Sequence, residues 1–247
     1  MKLVMLGTTG YHPNDLRDTA CYMLPEVGIV FDAGTGMQRL RANLATDELD
    51  VFLSHTHLDH VVGLTFLLGA LYDKPMRRVT VHGEADKLAA VREHLFHPML
   101  FPVAPQFEMR PLAGPITIAG GGKVTYFPVE HPGGAVGYRV DWPERSLAYV
   151  TDTTAEPDAG YIERIRGVDL LLHECNFSDA VASDFVAKTG HSQTTPVANL
   201  ARAAGVGRLV LTHLDSSINE VDPVDLATAR KIFPNTELAE DGKTVEF

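Results

Sequence analysis

The sequence predicts an α/β fold, and two regularities along the chain support that prediction. Short apolar runs of strand length recur throughout, and several are followed by segments with helical spacing of apolar residues. Five of these runs also lead directly into histidine, aspartate or glutamate, near positions 53, 129, 150, 172 and 211. Because α/β folds build their sites at the carboxyl ends of strands, we expect these polar residues along one rim.

The individual elements follow from the same patterns. Strands are predicted at 2–6, 20–24, 28–31, 50–53, 77–82, 116–118, 123–129, 135–141, 145–150, 168–172 and 208–211. Helices are predicted at 37–44, 61–68, 85–95, 158–166 and 194–204. The proline-rich stretch 97–111 predicts an ordered loop, and the glycines at 120–122 predict a hairpin turn rather than a phosphate-binding loop. No repeat or linker interrupts the series, so we expect one domain over 1–247.

Composition excludes several functional classes. The chain has 247 residues, of which 45% are hydrophobic and 21% charged, which is typical of a soluble globular protein. Its net charge of −11 argues against a broad electrostatic grip on nucleic acid. No apolar run reaches the length of a membrane span, and the first residues do not resemble a signal peptide. Cys21 and Cys175 indicate no disulfide framework, so the cytoplasm is the expected location.

The segment 54–60, SHTHLDH, is the strongest chemical signal in the sequence. It lies between an apolar strand and a predicted helix, and it holds three imidazoles and a carboxylate. In extended backbone, alternate side chains share a face, so His55 and His57 can bind one metal ion from the same side. Asp59 and His60 open the helix and point elsewhere, which suits a second ion. The alternative is a solvated polar loop, but the pattern favours a metal site.

Asp32 follows a strand expected to lie beside the metal-binding strand. It is a candidate hydrogen-bond partner for the N–H of a ligand histidine. The alternative is a helix-entry residue that accepts hydrogen bonds from nearby backbone. His94 and His97 lie outside any motif, so we expect them at the surface or in a loop.

The chain resembles the metallo-β-lactamase superfamily in the order of its motifs, which is His55-x-His57-x-Asp59-His60, then His131, Asp152 and His213. Further segments resemble the ribonuclease Z (tRNase Z) branch of phosphodiesterases within it. They are 6–8 (LGT), 31–38 (FDAGTGMQ), 152–153 (DT), 173–175 (HEC) and 190–192 (GHS). The resemblance covers nearly the whole chain. It implies an αβ/βα sandwich of two mixed sheets flanked by helices.

The resemblance also implies two divalent metal ions per chain, Zn²⁺ first and Mn²⁺ as the alternative. One ion would be bound by His55, His57 and His131, the other by Asp59, His60 and His213, with Asp152 as the bridge. Two such ions can hold a hydroxide and polarise a phosphoryl oxygen. Asp59 is expected to accept the proton of the nucleophile. Glu174 and His191 are the expected pair that protonates the leaving group, the carboxylate orienting the imidazole.

The sequence also departs from the ribonuclease Z pattern. That branch carries a Pro-x-Lys-x-Arg-Asn loop, whereas Asp15 and Asp18 replace its lysine and asparagine here, and two acids would repel RNA phosphates. Only twenty residues separate His131 from Asp152, which leaves no room for a tRNA-binding arm. These departures predict a phosphodiesterase for a small or flexible substrate, such as a nucleotide or a short nucleic acid.

Other functions remain open from the sequence. One is a thioesterase, lactonase or glyoxalase-II-like hydrolase on the same metal scaffold, and another is a tRNA 3′-processing endoribonuclease. A third is a metal-binding protein without turnover, including an iron-bound oxygen or nitric oxide handler. Fold alone does not separate these chemistries. No membrane partner is expected, and a homodimer is one option for the oligomeric state.

Overall fold

The computed structural model describes residues 1–156 and 158–247. Within them, the strands are β1 Lys2–Gly7, β2 Cys21–Leu24, β3 Ile29–Phe31, β4 Glu48–Phe52, β5 Arg78–Gly83, β6 Glu108–Pro111, β7 Ile116–Ile118, β8 Gly122–Val129, β9 Ala135–Trp142, β10 Arg145–Val150, β11 Leu170–Glu174, β12 Arg208–Thr212, β13 Thr236–Leu238 and β14 Thr244–Glu246. The α-helices are α1 Leu40–Asn43, α2 Leu58–Val61, α3 Leu67–Ala70, α4 Ala85–Ala90, α5 Ile162–Ile165, α6 Ser183–Thr189, α7 Thr194–Ala204 and α8 Leu226–Ile232. Short 3₁₀ segments at Thr35–Arg39, Val62–Phe66 and Ala119–Gly121, and a π-helical turn at Val91–Leu95, complete the helical elements.

The contacts of the chain divide it into two compact units. The N-terminal unit comprises 1–13, 17–113 and 240–246, and the C-terminal unit comprises 14–16, 114–239 and residue 247. The single domain expected over 1–247 stays a prediction. No helix among the described residues is both long enough and apolar enough to cross a membrane.

The N-terminal unit contains a mixed sheet in the order β14-β1-β2-β3-β4-β5-β6. The strands from β3 to β6 run parallel, whereas β14, β1, β2 and β3 pair antiparallel. Alternation places Leu49, Val51 and Leu53 on the face that packs against Leu64 and Leu67 of the helical layer. The carboxyl ends of β3 and β4 therefore lie side by side at one edge.

The C-terminal unit contains a second mixed sheet in the order β13-β12-β11-β10-β9-β8-β7. The strands from β10 to β13 run parallel, and β7 to β10 pair antiparallel. Helix α7 buries Val197, Ala198 and Leu200 in the same apolar cluster as Leu171 and Leu209 of the sheet. Thus β8, β10, β11 and β12 all point their carboxyl ends toward one edge.

Most predicted elements are present, and the differences have local causes. The stretch 97–111 is not only loop, because Glu108–Pro111 pairs with β5 as a parallel edge strand. The helix predicted at 61–68 begins at Leu58, so Asp59 and His60 lie in its first turn. Strand β11 continues through Glu174 rather than ending at 172. Helices α6 and α8 and strands β13 and β14 were not expected from the sequence pattern.

Candidate metal centre

Three histidines of the N-terminal unit gather directly after β4. The ring of His55 lies 4.5 Å from that of His57 and 4.2 Å from that of His60, measured between centroids. The Ser54 hydroxyl donates to Asp32, so it accepts from Nδ1–H of His55 at 3.0 Å. The Nε2 atom of His55 therefore carries the lone pair, which is the form of imidazole that binds a metal ion.

Asp32 fixes the ring of His60. Its carboxylate is fully buried and accepts hydrogen bonds from the Ser54 backbone N–H at 2.7 Å and from His60 Nδ1 at 2.8 Å. The parallel pairing of β3 with β4 brings Asp32 beside the segment after β4. The predicted contact between Asp32 and a candidate ligand histidine is therefore present, and it presents Nε2 of His60 as a ligand atom.

Asp59 completes the group in this unit. Its Oδ2 atom lies 3.3 Å from Nε2 of His60 and accepts the backbone N–H of Tyr11 at 2.7 Å. Its own backbone carbonyl accepts from the Thr19 hydroxyl at 2.8 Å. Two ligands bound at about 2.0–2.1 Å to a tetrahedral Zn²⁺ are separated by about 3.3 Å, so the Asp59–His60 spacing fits a shared ion.

Asp152 has an arrangement in the C-terminal unit that the sequence could not show. Its Oδ1 atom lies 3.3 Å from Nε2 of His213, and its Oδ2 atom lies 3.6 Å from Nε2 of His131. Each carboxylate oxygen thus faces a different histidine, and all three side chains are almost fully buried. A carboxylate in this geometry can bind one ion through each oxygen.

Three further residues, which the sequence analysis did not identify, hold these side chains. The Gly190 carbonyl accepts from Nδ1 of His131 at 3.2 Å, the Asn176 amide donates to the His213 carbonyl at 3.0 Å, and the Thr151 hydroxyl donates to Asp152 at 2.5 Å. Each lies next to a predicted residue or within a recognised segment. Their position was the available signal for all three, and for Gly190 residue type gives none, because its contact is made through the backbone carbonyl.

Glu174 and His191 form the predicted pair in the C-terminal unit. Oε1 of the fully buried Glu174 lies 3.0 Å from Nδ1 of His191. The same carboxylate accepts backbone N–H groups of Thr153 (2.9 Å), Asn176 (3.2 Å) and Ser192 (3.1 Å). Four donors around one carboxylate fix the tautomer and the orientation of the His191 ring.

The His191 ring also approaches the candidate metal ligands of its own unit. Its centroid lies 5.3 Å from those of His131 and His213. One ligand atom each of Asp152, His191 and His213 lie within 4.8 Å of one another. The Glu174–His191 pair therefore lies beside the candidate ligands Asp152 and His213 of its own unit.

His173, which precedes Glu174, has a different function. Its Nδ1 hydrogen-bonds to the Glu174 carbonyl at 2.7 Å, and its Nε2 to the Tyr161 hydroxyl at 2.8 Å. Burial lowers the pKa of His173, more than the nearby Glu174 raises it. The neutral ring therefore anchors the end of β11 from which Glu174 projects.

The donor set fits divalent metal ions. Imidazole nitrogens and carboxylate oxygens are the ligands that Zn²⁺ accepts at about 2.0–2.2 Å. Two of the four candidate ligand histidines with buried rings have Nδ1 bound to a hydroxyl or carboxylate oxygen, and a third has Nδ1 bound to a backbone carbonyl. Such contacts are typical of histidines that bind metal ions. His94 and His97 are exposed, as expected for residues outside the site.

Comparison with known proteins agrees with the family resemblance inferred from the motifs. The sequence model described as "Beta-lactamase superfamily domain" matches residues 28–214. Ribonuclease BN of Escherichia coli O6:K15:H31 is 28% identical, and the match covers 98% of each chain over 308 aligned positions. The metallo-beta-lactamase fold protein YhfI from Bacillus subtilis has a TM-score of 0.82 at 22% identity over 99% of both chains. Human short-form tRNase Z has a TM-score of 0.76 at 20% identity, covering 100% of this chain and 99% of that one.

Proposed function

The chain belongs to the beta-lactamase superfamily and is a hydrolase with the metallo-β-lactamase fold, and on this premise we propose that it is a dinuclear phosphodiesterase. The substrate is a small or flexible phosphodiester, such as a nucleotide ester or a short piece of RNA. Zn²⁺ is the expected metal, with Mn²⁺ as the alternative.

The observation that carries the proposal is the geometry of Asp152. Its two oxygens lie beside two different histidines, His131 and His213, at 3.6 and 3.3 Å. A carboxylate that served one ion would need only one such neighbour. In a bridging carboxylate, one oxygen lies beside a ligand of the first ion and the other oxygen beside a ligand of the second, and the positions of His131 and His213 support this assignment.

The remaining ligands are assigned from the family motif. In this proposal seven residues hold two ions. The first ion takes His55, His57 and His131, the second takes Asp59, His60 and His213, and Asp152 is shared. When bound, the ions supply charge that stabilises the attacked phosphoryl group and activate water at neutral pH.

The protein's own residues manage the protons and the substrate. Glu174 holds the imidazole of His191 through Nδ1, which leaves Nε2 to donate a proton to the departing oxygen. In this proposal Asp59 accepts the proton of the attacking water. A ribose alkoxide leaves poorly without such a proton, whereas a thiolate needs little help. The Glu174–His191 pair therefore supports a phosphodiesterase over a thioesterase or lactonase.

Substrate size follows from segments that this chain lacks. The match to Ribonuclease BN needs 308 aligned positions for a chain of 247 residues, so that relative has additional segments. Here β9 and β10 alone occupy the interval between Val129 and Thr151. The net charge of −11 further disfavours a long polyanion.

The N-terminal loop supports this proposal in part. Asp15 is exposed and accepts from Asn219 at 2.9 Å, so its negative charge lies at the surface. Asp18 does not present the surface charge that we expected, because its side chain is buried and bound to Arg39 and to Gln38 (2.6 Å). Only Asp15 can therefore contribute to the expected repulsion of RNA phosphates.

A second candidate is a tRNA 3′-processing endoribonuclease, which the full-length match to Ribonuclease BN favours. The two candidates differ in a direct competition between a pre-tRNA and a nucleotide diester at physiological salt. We expect the small diester to be hydrolysed more efficiently. The cytoplasmic location and the homodimer stay predictions.

Metal content and diester hydrolysis test the proposal together. Purified protein reconstituted with Zn²⁺ should bind about two equivalents and hydrolyse bis-p-nitrophenyl phosphate. Asp152→Ala should reduce both equivalents, and His213→Ala should reduce one. Asp169→Ala is the matched control, because this carboxylate of the same unit binds Ser146 instead of a candidate ligand. A wild-type protein that never exceeds one equivalent would contradict the dinuclear arrangement.

A further inference from the structure

Tyr11 combines three properties that a loop residue seldom has together. Its side chain is 83% exposed, and its φ of +60° lies in the left-handed region. Bulky residues rarely adopt that conformation, because Cβ crowds the carbonyl that follows it. Its backbone N–H donates to Oδ2 of Asp59 at 2.7 Å. A strained, exposed aromatic residue is thus tied to a residue proposed to bind metal and accept a proton.

The loop that carries Tyr11 is anchored at its base. Backbone N–H groups of Thr8 and Thr9 both donate to the Asp18 carbonyl, at 2.8 and 3.0 Å. The next residue, His12, donates its backbone N–H to the Gly10 carbonyl at 2.8 Å, and its Nδ1 lies 2.9 Å from the Pro13 carbonyl. The loop therefore holds its backbone in one conformation while two rings extend from it.

The two rings lie side by side. The centroids of Tyr11 and His12 are 5.2 Å apart, with an interplanar angle of 57°. Both side chains are exposed to solvent. Single exposed aromatic residues need no explanation, but this exposed pair includes a strained residue whose backbone N–H donates to Asp59, and strain of this kind concentrates at functional sites.

We propose that Tyr11 and His12 form a stacking platform for an aromatic base of the substrate, next to the scissile phosphodiester. The inference rests on the proposed phosphodiesterase function and narrows its substrate to nucleotide diesters. With a net charge of −11, the protein has little electrostatic attraction for phosphates. Stacking is a recognition mode that does not depend on net charge, because every nucleobase has a π-face.

The test compares two diesters that share a leaving group. The p-nitrophenyl ester of thymidine 5′-phosphate carries a base, whereas methyl p-nitrophenyl phosphate does not. Wild-type protein should have a higher kcat/KM on the thymidine ester, mainly through a lower KM. Tyr11→Ala should reduce the ratio of the two kcat/KM values roughly fivefold to hundredfold, the range measured for base–aromatic stacking. Tyr11→Phe should keep the ratio, because it keeps the ring.

Two further variants separate stacking from a structural effect. Tyr11→Gly should reduce the ratio as Tyr11→Ala does, yet raise Tm by roughly 2–4 °C, because glycine adopts positive φ without strain. Tyr72→Ala is the matched control, since Tyr72 is 87% exposed but follows α3 rather than lying in this loop. It should leave the ratio as in wild type.

The outcomes distinguish the inference from the function on which it rests. Wild-type protein that hydrolyses neither ester refutes the phosphodiesterase and the platform together. Wild-type activity on both esters with an unchanged ratio in Tyr11→Ala refutes only the platform. A ratio that falls equally in Tyr11→Phe also refutes it, because the hydroxyl rather than the ring would then be responsible.

Discussion

His191→Ala is the most informative single substitution for the proposed mechanism. In the native protein, Nδ1 of His191 is bound to Glu174 at 3.0 Å, and the ring lies 5.3 Å from that of His213. If the ring donates a proton to the departing oxygen, its contribution should grow with the basicity of that oxygen. General acid catalysis typically supplies 10²–10⁴-fold, or about 3–5 kcal/mol of transition-state stabilisation.

The assay measures kcat/KM on two substrates with different leaving groups. On a thymidine dinucleotide, whose leaving group is an alkoxide, His191→Ala should lose roughly 10²–10⁴-fold. On the p-nitrophenyl ester of thymidine 5′-phosphate it should lose only about tenfold, because p-nitrophenolate leaves without a proton. His97→Ala, at an exposed histidine, is the control and should lose nothing on either substrate.

Metal content must be measured on the same samples. A side-chain nitrogen of His191 lies within 4.8 Å of candidate ligand atoms of Asp152 and His213, so the substitution can change the metal content. Equal losses on both substrates with full metal content would refute proton donation and indicate phosphate binding. Loss of metal would identify His191 as a ligand.

Glu174→Gln is a poorer probe of the same pair. Each oxygen of Glu174 accepts two N–H groups, from Thr153 and His191 on one side and from Asn176 and Ser192 on the other. An amide NH₂ in place of either oxygen would face two donors. An unsatisfied buried donor costs about 1–3 kcal/mol, so this variant should lose stability as well as activity.

Two further predictions concern the support of the site and of the N-terminal sheet. Gly190 has φ +73°, and a Cβ there would lie 2.8 Å from Pro132 Cδ and 3.1 Å from His131 Nδ1. Gly190→Ala should therefore lower both the Zn²⁺ affinity and the stability of the protein. Gly205→Ala has φ +63° and nothing within 4 Å of the added Cβ, so it should lower only the stability, by about 1–2 kcal/mol. Metal titration and thermal unfolding of both variants check this, and equal metal affinities would contradict it. Burial raises the pKa of Asp50, but hydrogen bonds from Arg78 and His82 outweigh burial and lower it to about 2. The ionised carboxylate of Asp50 therefore contributes about 1–2 kcal/mol to the free energy of unfolding above pH 4, and this contribution is lost as pH falls toward 2. Asp50→Asn should weaken the dependence of that free energy on pH, measured by denaturant unfolding. An unchanged pH dependence would refute the role given to Asp50.

The central strands were predictable because their sequence pattern and their burial agree. Leu49, Val51 and Leu53 alternate with residues of the other face, and parallel neighbours on both sides bury the strand. The edge strand Glu108–Pro111 was wrongly included in a loop, because half-exposed polar residues and a terminal proline give no strand signal. Strands β13 and β14 have three residues each, of which only one is apolar, so they carry no apolar run that would predict a strand.

The sequence predicted the candidate ligands and the support of one of them by Asp32, but it did not predict most of the other supporting contacts. Asp18 illustrates the limit, since its charge predicted repulsion of RNA and its actual partner is Arg39, twenty-one positions away. Such pairings depend on tertiary contacts between segments that carry no common motif. The same holds for the Gly190 carbonyl that accepts from His131.

The backbone at the strand ends explains why residue type and position were not enough. Asp32, Asp152 and His213 have φ values of +54°, +49° and +52°, and each lies one or two positions after the end of a strand. This conformation turns the chain sharply, so that a side chain which would have continued the alternation of the strand is directed to the rim instead. It is unfavourable for a histidine by roughly 1–2 kcal/mol, and tolerable for aspartate only because a short polar side chain can bond locally. Strain of this size persists when surrounding hydrogen bonds fix it, as those to Ser54, Thr151 and Asn176 do here. The site therefore depends on a property of φ that no hydrophobic pattern encodes, and Tyr11, with its φ of +60°, belongs to the same group of strained residues beside the candidate ligands.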